Sequence, residues 1–126
     1  MSSASSDLFR LDGQVALVTG GARGLGQAMA TALARAGAAV CVIDILPADE
    51  TRAQIAAAGQ PGHALVADLA ALDPSGADEL MQHIGEVLGP PSILVNNAGI
   101  IRRAPALTHN WDDWQQTITL DLSVPF

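Results

Sequence analysis

The sequence contains no tyrosine and no lysine, and it contains one cysteine among 126 residues. A single cysteine cannot form an internal disulfide, so nothing in the sequence indicates an oxidising compartment. Charged residues make up 15% of the chain, whereas about a quarter is usual. This low charge excludes a disordered tail and a basic arm that binds nucleic acid.

Positive charge is especially scarce. Six arginines stand against thirteen acidic residues, which gives a net charge of −7. Such a surface repels nucleic-acid phosphates and anionic lipids. No apolar run approaches the length of a membrane span, and the start lacks the basic and apolar segments of a secretory signal. We therefore expect a cytoplasmic protein with no nucleic-acid and no membrane partner.

Short apolar segments alternate with helical ones along the chain. Segments 15–19, 40–44, 63–66 and 93–96 predict buried strands, and segments 25–36, 47–58, 77–88 and a fourth starting at Asn110 predict helices. Strands that are apolar on both faces and joined by helices predict an α/β fold with a doubly wound parallel sheet of the Rossmann type. Right-handed connections between the four strands predict the strand order 3-2-1-4, which is the first half of the doubly wound fold. We expect one domain over residues 11–126, preceded by a flexible arm over residues 1–10.

A glycine-rich turn joins the first strand to the first helix and reads Thr19-Gly20-Gly21-Ala22-Arg23-Gly24-Leu25-Gly26. Glycines allow the backbone to approach phosphates, and a helix N-terminus offers unpaired N–H groups to a pyrophosphate. A tight turn without a ligand is the alternative interpretation. The strand–turn–helix context favours a dinucleotide site.

The cofactor preference depends on two charged residues. Asp44 ends the second strand, where an acid accepts hydrogen bonds from the adenosine ribose. A carboxylate there also repels the 2′-phosphate of NADP. Arg23 favours the opposite choice, because a guanidinium beside the loop can pair with that phosphate. We expect NAD, with NADP less favoured, and a solvated strand-end acid is the alternative interpretation of Asp44.

Four motifs in register resemble the short-chain dehydrogenase/reductase family. They are the loop over residues 19–26, the pair Asp68-Leu69 after the third strand, Asn96-Asn97-Ala98-Gly99 after the fourth, and residues 114–126. The resemblance implies an oxidoreductase that transfers hydride between a nicotinamide cofactor and an alcohol or carbonyl. It also implies that Asp68 and Leu69 contact adenine, that Asn96 supports the central sheet, and that Ala98 and Gly99 leave room for the cofactor's ribose. Together with the glycine turn and Asp44, the resemblance implies a cofactor site formed by Thr19, Gly20, Arg23, Gly24, Leu25, Gly26, Asp44, Asp68, Leu69, Asn96, Ala98, Gly99 and Ile118.

The sequence departs from that family in two ways. Asp121 stands where the family has a structural Asn, and because Asp cannot donate a hydrogen bond, a proton relay through it is altered. The family's catalytic Ser and Tyr-x-x-x-Lys lie further along the chain, and Ser123 is not that serine. The resemblance implies the cofactor half of an enzyme about twice as long. We expect no catalytic residue and no turnover in this chain alone.

The substrate signal is Arg102-Arg103, which follows the fourth strand at the edge of the sheet where ligands bind. Paired arginines can clamp a carboxylate. The string NNAGIIRRA is similar to that of family members that oxidise sugar acids of the gluconate type, which implies a small-molecule substrate of that class. Solvated arginines, or arginines in a subunit contact, are the alternative.

The remaining polar residues predict no metal site. His63, His83 and His109 are far apart in sequence and lack ligand spacing. Cys41 lies within the second strand, where a buried apolar role is expected.

Two other functional hypotheses stay open at this point. One is a stand-alone nucleotide-binding or regulatory module without turnover, and the other is a degenerate copy that binds nothing. The intact glycine loop counts against the degenerate copy. The open edge of the fourth strand and the apolar positions Trp114, Ile118 and Leu122 predict self-association, and hence a homo-oligomer.

Overall fold

A computed structural model describes residues 7–126, and its core is a sheet of four parallel strands. The strands are β1 (Val15–Thr19), β2 (Ala39–Asp44), β3 (Gly62–Val66) and β4 (Ile93–Val95). Their order is β3-β2-β1-β4, which confirms the predicted topology. All five residues of β1 are buried, as a central strand requires. Within the described residues, β4 pairs with β1 alone and its outer edge is open.

Four helices connect or follow the strands: α1 (Gly24–Arg35), α2 (Asp49–Ala57), α3 (Pro74–Leu88) and α4 (Trp111–Ile118). Short 3-10 turns lie at Leu69–Ala71 and Ala106–Thr108, and a π-helical turn, Thr119–Ser123, extends α4. Two predicted helix starts were wrong. α2 begins after Pro47, and α3 begins three residues early because Asp73 Oδ1 accepts a hydrogen bond from the Gly76 N–H at 2.7 Å.

The segment that precedes β1 is attached to the end of α1. The Leu11 N–H donates to the Ala36 carbonyl at 2.8 Å, and Arg10 Nη1 donates to the Arg35 carbonyl at 3.2 Å. Gly37 ends α1 with a φ of +112°, a conformation that favours glycine. Residues 7–10 of the predicted arm are exposed, and residues 1–6 lie outside the described part.

Apolar side chains cover both faces of the sheet. On one face, α1 packs the small residues Ala30 and Ala34, and α2 packs Ile55, against β1 and β2. On the other face, Ile84 of α3 packs with Cys41 and Ile43 of β2. Burial raises the pKa of the Cys41 thiol to about 12, so Cys41 stays protonated and serves as a small apolar residue. Small side chains let α1 approach the sheet closely, which places its N-terminus directly beyond the end of β1.

Two of the three histidines lie close together in the fold. His63 of β3 and His83 of α3 are distant in sequence, yet their ring centroids lie 5.7 Å apart. Burial lowers the pKa of His63, and the neighbouring His83 and Arg52 lower it further. Within residues 7–126, no group of three or more His, Cys, Asp or Glu side chains is arranged to hold a metal.

No helix in the described part of the chain combines the length and the apolar character needed to cross a bilayer.

Candidate functional site

A cleft of about 700 Å³ lies at the carboxyl ends of the strands, which is where ligands bind in open α/β sheets. Its walls come from the β1–α1 turn, the end of β2, the turn after β3, the segment after β4, and the last helix. The structure brings nine of the residues predicted from sequence together around it: Gly20, Arg23, Gly24, Asp44, Asp68, Leu69, Ala98, Gly99 and Arg102.

Two glycines of the β1–α1 turn lie in close backbone contacts. Gly20 has a φ of +68°, and a Cβ there would lie 2.9 Å from Asn97 Nδ2. A Cβ on Gly26 would overlap the carbonyl oxygen of Gly20. The turn therefore folds back on the first residues of α1, and only glycine fits at these two positions.

The N-terminus of α1 is uncapped by any side chain. Arg23 occupies the N-cap position without a capping hydrogen bond, and the first turn contains no acidic residue. By contrast, Asp73 caps α3 and Asn110 caps α4. The first turn of a helix leaves backbone N–H groups without intrahelical partners and carries a partial positive charge. At the cleft wall beside Gly24, those groups could hold an anion.

Asp44 is fixed in the cleft wall by two backbone groups. Its Oδ2 accepts a hydrogen bond from the Ala22 N–H at 3.0 Å, and its Oδ1 accepts one from the Leu46 N–H at 3.0 Å. The carboxylate thus lies between the glycine turn and the end of β2. Each oxygen keeps a second lone pair that can accept from a ligand hydroxyl. Arg23, on the same cleft, is exposed.

Thr19 and Asn97 join β1 to the segment after β4. Thr19 Oγ1 accepts hydrogen bonds from the Asn97 and Ala98 N–H groups at 3.1 and 3.0 Å. Asn97 Nδ2 donates to the carbonyl oxygens of Thr19 and Gly20, both at 3.1 Å. The resemblance assigned support of the sheet to Asn96, but Asn96 is exposed and the connecting amide belongs to Asn97. The chain turns after Val95, so the side chain at position 97, not 96, points back towards β1.

The Asp68-Leu69 pair forms the wall below the end of β3. Asp68 Oδ1 accepts a hydrogen bond from the Ala70 N–H at 3.1 Å and so starts the 3-10 turn. Leu69 is buried against the core beneath the cleft. Asp68 therefore places a carboxylate at the edge of the cleft, and Leu69 places an apolar side chain beneath it.

Asp121 lies in the π-helical turn that extends α4, and it contacts the segment after β4. Its Oδ1 accepts a hydrogen bond from the Ile100 N–H at 2.9 Å. This bond requires only an acceptor oxygen, which Asp and Asn share. The carboxylate therefore holds the Gly99–Ile100 peptide in place at the cleft edge, although it cannot donate in turn.

Some of the predicted cofactor residues do not line the cleft. Leu25 and Asn96 are exposed, Ile118 is half-buried, and Thr19 and Gly26 are buried behind the glycine turn. On the last helix, Gln116 and Leu120 face the cleft instead of Ile118. The sequence interpretation missed nine lining residues: Ile43, Ile45, Leu46, Ala67, Ala70, Asn97, Ile100, Gln116 and Leu120. Most of them flank Asp44, Asp68 or Gly99, so adjacency to a strand end was the signal that could have found them.

The two arginines after β4 have different positions. Arg102 lines the cleft, and its Nε lies 3.9 Å from Asp113 Oδ1. Arg103 is exposed and is not among the lining residues. The structure therefore brings one arginine to the cleft, rather than the pair that the sequence suggested.

The chain belongs to the short-chain dehydrogenase family, because the sequence model of that family, described as short chain dehydrogenase, matches residues 14–126. Among curated relatives, the 2-dehydro-3-deoxy-D-gluconate 5-dehydrogenase of Escherichia coli (strain K12) is 42% identical over 118 residues. That match covers 94% of this chain and 46% of the relative. The chain thus spans about half the length of the curated relatives it matches.

Solved structures of candidate dehydrogenases also superpose on this chain, and it again covers about half of each. A candidate short-chain alcohol dehydrogenase of Sinorhizobium meliloti superposes with a TM-score of 0.87 at 38% identity, covering 94% of this chain and 47% of that one. A candidate 2-deoxy-D-gluconate 3-dehydrogenase of Agrobacterium tumefaciens superposes with a TM-score of 0.81 at 42% identity, covering 94% and 45%. The latter holds bound NADP, so the comparison does not support the expected preference for NAD over NADP.

Proposed function

We propose that the cleft binds a nicotinamide dinucleotide, and that this chain supplies the cofactor-binding part of an oxidoreductase acting on an alcohol or carbonyl. The observation that carries the proposal is the uncapped N-terminus of α1, which opens onto the same cleft as Asp44 and Asp68. The backbone N–H groups of that helix end suit a pyrophosphate, and the carboxylates of Asp44 and Asp68, at the ends of neighbouring strands, suit the hydroxyl and amino donors of an attached nucleoside. Membership of the family favours this function over a module without turnover.

Each part of the cleft is suited to one part of the cofactor. The backbone N–H groups at the start of α1 would hold the pyrophosphate, and Asp44 would accept from the adenosine ribose hydroxyls. Asp68 and Leu69 would contact the adenine. Ala98 and Gly99 leave space at the opposite end, where the nicotinamide would supply or accept hydride.

The described cleft offers no group that delivers a proton to a carbonyl oxygen. Tyrosine and lysine are absent from the sequence. The Asp121 carboxylate accepts from the Ile100 amide and has no proton to give when ionised. Hydride transfer to a carbonyl requires a proton at the oxygen, which general acid catalysis normally accelerates about 10²–10⁴-fold.

We therefore predict that the 126-residue chain binds the cofactor but shows no nicotinamide-linked oxidation of gluconate or simple alcohols. The measurement is absorbance of reduced nicotinamide over long incubations. The matched control is the Gly26→Trp variant, in which the glycine turn cannot form. Turnover by the unmodified chain above that control would mean that another residue here acts as the acid.

We also propose that the cofactor is NAD rather than NADP. The support is the fixed position of Asp44: its two backbone donors hold a negative charge beside the place where a 2′-phosphate would lie. Bringing two negative charges together in a partly desolvated cleft is unfavourable. Arg23 opposes this preference, but it is exposed, and solvent weakens its attraction for a phosphate.

Calorimetry with both cofactors tests the preference. We expect tighter binding of NAD by the unmodified chain. Asp44→Asn should weaken NAD binding by about tenfold or more, because hydrogen bonds to charged groups contribute about 1.5–3 kcal/mol. The same variant should strengthen NADP binding, and Arg23→Gln should leave the NAD affinity nearly unchanged. Tighter binding of NADP by the unmodified chain would overturn the choice and assign the preference to Arg23.

For the substrate, we propose a sugar acid of the gluconate type. One support is Arg102, the cationic side chain that lines the described cleft beside Gly99 and Ile100, where the nicotinamide would lie. The other is the similarity to relatives named as gluconate dehydrogenases. A guanidinium binds a carboxylate through two parallel hydrogen bonds. A cytoplasmic location and a homo-oligomeric state stay predictions.

A further inference from the structure

His109 lies between β4 and α4, and both of its ring nitrogens face backbone carbonyl groups. Nε2 lies 3.0 Å from the Arg102 oxygen, and Nδ1 lies 3.2 Å from the Asn110 oxygen. A carbonyl oxygen only accepts, so each of these contacts is a hydrogen bond only if the ring nitrogen carries a proton. A neutral imidazole has one N–H, whereas the imidazolium has two. The protonated ring alone makes both bonds.

The surroundings of His109 favour that protonated form. The backbone carbonyls of Arg102 and Asn110 raise the pKa of the ring, slight desolvation opposes them, and the negative charge of Asp113 raises the pKa further. Asp113 belongs to the first turn of α4, as does Asp112. The partial positive charge of that helix terminus acts in the opposite direction, and the two acids offset it.

Arg102 is attached to the start of α4 at two points. Its carbonyl faces the His109 ring, and its guanidinium Nε lies 3.9 Å from Asp113 Oδ1. Asp113 is itself fixed, because Asn110 Oδ1 accepts from its N–H at 2.8 Å and Asn110 Nδ2 donates to its Oδ2 at 3.1 Å. The exposed ion pair alone is a weak restraint. The ring therefore supplies the second attachment of the Arg102 peptide.

We propose that His109, in its doubly protonated form, is a positioning residue that holds the Arg102 peptide against the start of α4 and so sets where the guanidinium enters the cleft. Deprotonation leaves one N–H for two carbonyl oxygens, so the neutral ring divides between a tautomer that bonds Arg102 and one that bonds Asn110, and the restraint on the Arg102 peptide weakens. Because the folded state favours the protonated ring, the stabilisation is complete below the ordinary histidine pKa and is lost as the pH rises through the higher folded value. The consequence for substrate binding rests on the proposed role of Arg102; the restraint itself does not.

The first test follows the restraint without substrate, by NMR of the 126-residue chain. The chain has three histidines, so the ring signals are few and His109→Gln assigns one of them. The Arg103 amide shares a peptide group with the Arg102 carbonyl. We expect that amide to titrate with the same midpoint as the His109 ring, and to lose this titration in His109→Gln. His83→Gln, on the distant helix α3, should leave it unchanged. An Arg103 amide that titrates independently of the His109 ring, or that still titrates in His109→Gln, would overturn the proposal.

The second test measures D-gluconate affinity in the presence of NAD, at one pH below and one above the His109 midpoint. We expect binding to weaken about fivefold above the midpoint, the effect of one lost hydrogen bond. The affinity should vary little with pH in His109→Gln. Binding that depends on Arg102 but not on pH or on His109 would overturn the positioning role. Equal gluconate affinity in the unmodified chain and Arg102→Gln, with the NMR coupling intact, would instead reject the sugar-acid substrate and leave the positioning role standing.

Discussion

Gly26→Ala is expected to weaken dinucleotide binding strongly, by about tenfold to a hundredfold. The added Cβ would overlap the carbonyl oxygen of Gly20 and lie 2.6 Å from Asn97 Nδ2. Both neighbours are fixed, since Asn97 Nδ2 donates to the Thr19 and Gly20 carbonyl oxygens. Overpacking of this kind costs about 1–3 kcal/mol and displaces backbone. The displaced backbone is the turn that presents the start of α1 to the phosphates, so the cost falls on binding.

Two further glycine variants make this prediction specific. A Cβ on Gly85, within α3, meets nothing within 4 Å, so Gly85→Ala should leave binding unchanged and stabilise the helix by about 1 kcal/mol. Gly24 also has open space around it, but its φ is +60°. Gly24→Ala therefore adds strain of about 1–2 kcal/mol without a clash, and should weaken binding less than Gly26→Ala.

Calorimetric titration with NAD, together with thermal melting of each variant, measures these effects. Melting separates a loss of the phosphate site from a loss of the fold. A folded Gly26→Ala chain that binds NAD as tightly as the unmodified one would contradict the assignment of the pyrophosphate to this turn.

Much of the fold could be predicted because the strands are buried on both faces. An apolar run such as 15–19 has no solvent-facing positions, so its length gives the strand directly, and the bounds of β1 agree. The strand order then follows from the handedness of the crossovers. The helix starts were less certain. α3 begins at Pro74, three residues before the predicted start, whereas Pro47 lies ahead of α2, because proline occurs both in the first turn of a helix and just before it.

The candidate site was predictable where residues directly follow a strand. Asp44 and Asp68 reach the cleft because carboxyl ends of parallel strands meet at one edge. On the last helix, the choice between Ile118 and its neighbours depends on the rotation of the helix about its axis. The π-helical turn after Ile118 alters that rotation for the residues that follow, and sequence spacing does not reveal it. The contact between His63 and His83 depends on how α3 crosses β3, which no local pattern records.

The 126-residue chain is expected to self-associate as its concentration rises. Two apolar features support this. The outer edge of β4 is unpaired within the described residues, and Leu94 on that strand is 55% exposed. On α4 and the turn after it, Trp114 is 52% and Leu122 is 65% exposed. Open strand edges and exposed apolar side chains both promote association, and the sequence has no lysine to protect the edge.

Sedimentation velocity over a dilution series measures this association, and two variants locate it. The double variant Trp114→Gln with Leu122→Gln removes the exposed apolar side chains of the last helical segment. It should weaken association at least about tenfold, since burying even one large apolar side chain contributes about 1.5–3 kcal/mol and this variant removes two. Val87→Gln is the matched control, because Val87 is 45% exposed on α3, which packs against β2 and β3. Association that persists equally in the double variant assigns it to the β4 edge, whereas a concentration-independent monomer with one cooperative melt would contradict the prediction.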